Sequence, residues 1–350
     1  MRFLNGRKLM PIFVWLYFYS SINSDGFADK ITAKQKSLKR RSLVALFYTS
    51  NVSAFEAQTT SKKENCRWLR GMKYQAKLCR NRSGLAEILQ KTKKLARSSC
   101  QTQFEFEQWN CSSGNTKKIF KKLYRETAFI YSLTTSAFLY SVAKACAEGS
   151  LANCKCASHG KSTNVSEWQW GGCGDNSIHA RALTKNFFQL RKKGDNSNLN
   201  TALRYNSEVG IRVAMEHEEK YCKCHGISGS CSMKICWKRL KPFQEIAKSL
   251  KDEYHRALHV EPDNNTPKIH QGWKRRRSLL FVDYTPDFCP TTTGRRCRDE
   301  DNCASLCCAR GFTTSFRIVK ERCKCRWRNE TLFQVECKIC EHEEMIYHCR

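Results

Sequence analysis

Acidic side chains are scarce in this chain: 32 Asp and Glu stand against 62 Lys and Arg, a formal charge of +30 over 350 residues. That balance selects polyanions as partners and excludes polycations. Long apolar runs are also missing. The N-terminal run from Leu9 to Tyr19 falls short of the roughly 20 residues that a membrane-spanning helix needs. With Arg2, Arg7 and Lys8 before it and Ser20, Ser21 and Ser24 after it, it reads as a secretory signal peptide over residues 1–24. The uncharged stretch from Thr127 to Ala143 is rich in Ser and Thr, which makes it a buried core helix and not a span. Complete catalytic motifs are absent as well. Ser228 sits among glycines, but a nucleophile elbow would need Gly where Ser230 stands, and His225 lies on the same short loop with no orienting carboxylate. His217-Glu218 and His342-Glu343 open the metalloprotease helix motif, yet Tyr221 and Ile346 occupy the second His position. The Cys-x-Cys pairs at Cys154, Cys222 and Cys323 depart from the usual C-x2-C of zinc sites. No enzyme, no metal and no non-covalent cofactor is expected, and no repeat of solenoid length is present.

Cysteine, by contrast, is abundant. The chain holds 22, with the densest group between Cys289 and Cys349, and that density implies an oxidising compartment. Six N-x-Ser/Thr sequons, at Asn51, Asn81, Asn110, Asn164, Asn264 and Asn329, fit a secreted glycoprotein. Outside the cell the polyanions on offer are sulfated glycans of the heparan-sulfate type and membrane surfaces. The runs Lys39-Arg40-Arg41 and Lys274-Arg275-Arg276-Arg277 are candidate contacts. Nucleic acid is not expected, because the basic residues are spread along the chain and form no known module.

The organisation reads as α+β. Residues 25–63 are basic and lack sustained periodicity, so they are expected to be disordered. Residues 64–260 read as a helical domain. Leu85, Ile88, Leu89 and Leu95 form one stripe, Ile119 to Val142 a longer one, and Phe243 to Leu258 another that opens at Pro242. A basic linker over 261–278 follows, then a small cysteine-rich β domain over 279–350.

Two cysteine clusters constrain register. Opposed positions along an antiparallel hairpin keep a constant sum, so disulfides on one hairpin should nest. Nested pairing of Cys323 with Cys340 and Cys325 with Cys337 is nearly in register, whereas crossed pairing is not. The same test favours Cys222 with Cys236 and Cys224 with Cys231, with one bulge. The first pair of bridges would staple a finger with its tip over residues 326–336. The second would hold His225 to Ser230 on a rigid loop, where Gly226 and Gly229 permit turn conformations beside an outward Ser228. From spacing alone, a plain turn residue is the stronger reading of Ser228.

The run from Cys222 to Cys231 (CKCHGISGSC), with Cys236-Trp237 after it, resembles the signature of the Wnt family. The resemblance extends to residues 100–112 (CQTQFEFEQWNCS), 125–146, 168–176 (WQWGGCGDN) and 306–311 (LCCARG), and residues 237–243, 335–337 and 343–349 are similar to the subfamily numbered nine. It implies a secreted, matrix-associated developmental ligand that carries a monounsaturated fatty acyl chain on Ser228. It further implies a thumb formed by the lipid-bearing loop and an index finger formed by the C-terminal hairpin, which together grip the cysteine-rich domain of a Frizzled receptor. Ser228, Ile227, Trp327, Leu332 and Phe333 are the contacts so implied. An LDL-receptor-related co-receptor, a membrane-bound acyltransferase and a lipid-carrier protein would be further partners. Implied disulfides are Cys100–Cys111, Cys146–Cys154, Cys156–Cys173, Cys222–Cys236 and Cys224–Cys231, then Cys289–Cys308, Cys297–Cys303, Cys307–Cys349, Cys323–Cys340 and Cys325–Cys337, which leaves Cys66 and Cys79 as an eleventh pair. The fingertip departs from the family: it lacks an adjacent cysteine pair after Trp327 and carries a sequon. The alternative reading is a disulfide-rich, glycan-binding matrix protein without receptor agonism.

Overall fold

The computed structural model describes residues 43–49, 66–69, 71–112, 119–120, 122–157, 169–190, 198–260, 278–329 and 334–350. The signal peptide, both basic runs and the tip residues Leu332 and Phe333 lie outside them.

The first lobe is built around one helix. Helices α1 (Leu43–Thr49), α2 (Lys73–Asn81), α3 (Leu85–Gln103), α4 (Arg125–Ala147), α5 (Ser177–Phe187), α6 (Asn198–Glu216) and α7 (Phe243–His255) pack with α4 at the centre. Burial of α4 on every side is possible because its hydroxyls find partners within the helix. Ser132, Thr134, Thr135 and Ser136 donate to carbonyls three or four residues earlier, so these buried hydroxyls are not stranded. Small side chains also let α6 come close. A Cβ on Gly210 would lie 2.0 Å from the Ser132 carbonyl oxygen, and Thr135 reaches across to the Ser207 carbonyl at 2.9 Å. No helix among the described residues is long and apolar enough to cross a membrane. The helix begins at Arg125, later than the apolar stripe suggests. Ile119 and Leu123 are buried beside it, and the Thr127 hydroxyl donates to the Ile119 and Lys122 carbonyls.

Two expectations need correction. Disorder over 25–63 fails at α1, where Leu43, Val44, Phe47 and Tyr48 enter the main core, with the Phe47 ring 5.3 Å from that of Trp68. Its spacing is helical, but the run is short and lies in a basic context that hides it. The boundary at 279 also fails. Leu279, Leu280 and Phe288 belong to the core of the first lobe, Asn206 makes paired hydrogen bonds with the Leu280 backbone, and β5 (Leu280–Phe281) pairs in parallel with β4 (Leu258–His259). Here buried Glu126 accepts hydrogen bonds from Tyr254 and Thr285, and burial raises its carboxyl pKa above the ordinary value.

The second lobe is small. Cys297, Cys303, Leu306, Cys307, Tyr347 and Cys349 form its core, with helix α8 (Glu300–Leu306) started by the Asp299 cap, whose carboxylate accepts from the Asn302 N–H at 2.7 Å. Strand β6 (Arg296–Cys297) pairs with the base of β8 (Gln334–Cys349), which pairs along its length with β7 (Phe312–Asn329). The lobes meet where Arg295 donates to the Gln108 and Glu105 carbonyls and Asn302 donates to that of Phe106.

Candidate functional site: a stapled thumb and an exposed finger

The thumb is an antiparallel pair, β2 (Glu218–Cys224) and β3 (Lys234–Leu240), in one unbroken register with Cys222 directly opposite Cys236. No bulge is needed. The second bridge runs from Cys224, the last paired residue of β2, opposite Lys234, to Cys231 in the loop, and that loop takes up the odd residues. The base is held firmly. His217, just after α6, donates from Nδ1 to the Val213 carbonyl at 2.8 Å, and its Nε2 lies 2.9 Å from the Ser249 hydroxyl. Asp175 is buried, accepts the Leu240 N–H at 2.7 Å and pairs with the Lys144 ammonium at 2.7 Å.

The glycine-rich segment before Asp175 explains itself here. Strand β1 (Gln169–Trp170) pairs with β3, and a Cβ on Gly174 would lie 2.7 Å from the Lys238 carbonyl oxygen. Asp175 was not singled out in the sequence, although the run from Gly171 to Asp175 carries the signal.

At the tip, residues 227–229 form a single tight turn. Its closing bonds are Gly226 N–H to the Ser230 carbonyl at 2.8 Å and Ser230 N–H to that of Ile227 at 3.1 Å. The roles of the two glycines separate. Gly229 takes a left-handed φ of 77°, whereas Gly226 has an ordinary φ of −70° and is required for space, since a Cβ there would lie 2.6 Å from the Ser230 carbonyl oxygen. Ser228 itself is left-handed, with φ 57° and ψ 26°. The two serines of the motif differ as well. Ser230 Oγ is 3.0 Å from Ser232 Oγ, while the exposed Ser228 hydroxyl has no partner among the described residues. Beside it Ile227 is 92% exposed, and Met233 is exposed too.

The finger ladder runs past its staples to Asn329 opposite Gln334, so the tip is shorter than residues 326–336. Cys323 and Cys340 are not opposed, because Cys323 faces Lys338 and Cys340 faces Glu321. Their bridge is diagonal, with Cα atoms 5.8 Å apart. A bulge between Cys323 and Arg326, with Lys324 at φ 46°, carries Cys325 to Cys337 at a Cα separation of 4.0 Å. The shared strand face expected for Cys323 and Cys325 is broken there. Trp327 is exposed at the outer end, far along the chain from the thumb. The structure joins all eleven implied cysteine pairs, and every cysteine is bonded. Asn81 is exposed at the end of α2, and Asn110 accepts from the Ser112 N–H; Asn51, Asn164 and Asn264 lie outside the described residues.

These features define a disulfide-stapled α+β protein that displays two hairpins from two lobes. The family model "wnt family" matches residues 68–350. Protein Wnt-4 of Drosophila melanogaster is 36% identical over 301 residues, 81% of this chain and 56% of that protein. Protein Wnt-9a of Gallus gallus is 34% identical over 320 residues, 84% of this chain and 88% of that protein. Among solved structures, that of human WLS in complex with WNT8A matches with a TM-score of 0.53 at 27% identity, covering 76% of this chain and 94% of that one. The chain belongs to the Wnt family of signalling ligands. A likeness to both Wnt-4 and Wnt-9a at nearly equal identity accommodates the subfamily numbered nine without singling it out.

Proposed function

We propose that this chain is a secreted, acylated Wnt ligand that grips a Frizzled cysteine-rich domain between two projections. A fatty acyl ester on Ser228, with Ile227 beside it, enters an apolar groove. The finger makes the second contact through Trp327, Leu332 and Phe333. The observation that carries this reading is the state of Ser228: an exposed hydroxyl without a partner, on a turn fixed by two disulfides, next to a serine whose hydroxyl is engaged. An acyltransferase can reach such a hydroxyl without unfolding the loop. Burying a dozen methylenes contributes on the order of 10 kcal/mol before ordering costs, enough for one chain to dominate the affinity. Exposed in water, the same chain would adsorb to membranes, which calls for a carrier during secretion. The WNT8A relative bound to WLS supports that partner. An LDL-receptor-related co-receptor completes the signalling complex. The charge of +30 supports retention by heparan-sulfate-type glycans in the matrix.

Mass spectrometry of the peptide spanning Cys222 to Cys236 tests the reading, with an added monounsaturated acyl ester on Ser228 as the expected result. Full receptor activation by an unlipidated Ser228→Ala chain would overturn it.

A further inference from the structure

Six large apolar side chains of the second lobe are exposed on one ribbon: Phe316 (70%), Ile318 (60%), Trp327 (65%), Val335 (49%), Ile339 (70%) and Met345 (54%). They share a single face. Directly opposed residues of an antiparallel ladder point to the same side, and sides alternate along each strand. The ladder opposes Phe316 to Met345, Ile318 to Glu343, Arg322 to Ile339 and Trp327 to Val335. Along β8, Met345, Glu343, Glu341, Ile339 and Val335 fall on one side at every second position. A regular β7 would turn Trp327 to the other side, since its number is odd where those of Phe316 and Ile318 are even. The extra residue at the bulge beside Lys324 returns it. At its inner end the stripe joins the edge-on contact of Phe312 and Tyr347, 5.6 Å between ring centres, at the small core.

We infer that this face binds a second copy of this chain, face to face, about a two-fold axis running along the ribbon. Such an axis lays each β7 side chain over the β8 residue it already opposes, so the register of one ribbon dictates the contacts between two. Phe316 meets Met345 of the second copy, and Trp327 meets its Val335. Between these apolar ends Ile318 meets Glu343, Lys320 meets Glu341 and Arg322 meets Ile339 of the second copy. Within one ribbon Lys320 and Glu341 already pair at 2.6 Å, so the dimer assembles four alternating charges. An axis across the ribbon midway between Lys320 and Arg322 would instead bring Lys320 to Arg322 of the second copy and repel. A ribbon about a dozen residues long at ~3.4 Å each, and roughly 10 Å wide, covers on the order of 400 Å² per copy. Standard interfaces bury about 800 Å² per partner, so the dimer is weak and forms reversibly as concentration rises.

Trp327 is shared with the receptor reading, but the test uses neither receptor nor acyl chain, and its variants leave Trp327 in place. Analytical ultracentrifugation of the purified full-length Ser228→Ala chain should show a monomer–dimer equilibrium. Phe316→Ser with Met345→Ser should weaken it by on the order of tenfold or more. Chains carrying Lys320→Glu or Glu341→Lys should each stay monomeric alone and form a heterodimer when mixed, an outcome that only a face-to-face pairing of these two positions produces. The substituted side chains are exposed, and an unchanged disulfide content and circular dichroism spectrum would show that the variants fold. Sedimentation as a monomer at every concentration would overturn the proposal. So would self-association that these variants leave unchanged, or loss of binding to phosphatidylcholine vesicles in the same variants while the parent remains monomeric, which would assign the face to lipid.

Discussion

The two lobes solve the same stability problem with different materials. The first has a continuous core from Leu43 to Phe288, centred on α4, with helices on all sides. The core of the second is six residues, four of them half-cystines, and most of its ribbon is exposed. Disulfides divide six to five between the lobes and none crosses from one to the other. A two-stranded hairpin on its own is marginal in water, so the long β7–β8 ribbon needs its crosslinks in a way that a packed helix does not. The thumb lies between these cases. It belongs to the first lobe and has a buried base, yet its tip depends on two bridges.

The largest effect should come from the apolar core. Phe138→Ala opens a cavity between Phe187 and Phe188, whose rings lie 4.9 and 5.6 Å away, and should cost about 3–5 kcal/mol in denaturant unfolding. Replacing Cys307 and Cys349 by Ser removes a bridge closing 42 residues and should cost about 2–5 kcal/mol, all of it in the second lobe. Limited proteolysis should then cut within residues 289–350 and leave the helical lobe whole. Cleavage of both lobes together would show that they share one cooperative unit.

A smaller change separates the lobes. Arg295→Ala deletes the hydrogen bonds to the Gln108 and Glu105 carbonyls at 2.8 and 2.7 Å, for about 1–3 kcal/mol, and should split one calorimetric transition into two. The smallest effect concerns pH. Burial raises the pKa of Glu126 above the ordinary carboxylate value, against the opposing pull of Tyr254, Thr285 and Arg125. The folded state therefore holds this proton more tightly than the unfolded state. Its stabilising contribution is complete below the unfolded pKa and is lost as pH rises through the folded pKa. Melting of the first lobe should follow that trend, and Glu126→Gln should flatten it.

Legibility followed the range of the interactions. The stripe of Leu85, Ile88 and Leu89, the start of α7 after Pro242 and the nested cysteines are local patterns, and each could be read from spacing. Helix α1 was missed because its four core residues have meaning only against partners such as Trp68 and Phe120, distant in the chain. Residues 279–288 were assigned to the wrong lobe because a cysteine-poor apolar strand next to a cysteine-rich segment carries no mark of the helices it joins. Asp175 was passed over because an aspartate after a glycine run reads as a turn until β3 and Lys144 are placed beside it.

The amino-acid sequence by itself determined the nested pairing of the two hairpin cysteine clusters, the family signature around Ser228 and the helical periodicity of the first lobe. These depend on residue type and on neighbours a few positions away. Only the tertiary structure decided that Ser228 is left-handed and unbonded while Ser230 is engaged, that the thumb hangs on Asp175 and His217, and that a single bulge turns Trp327 to the same face as Phe316. One residue inserted in one strand inverts the side of everything beyond it, and no local pattern records that the ladder slips there.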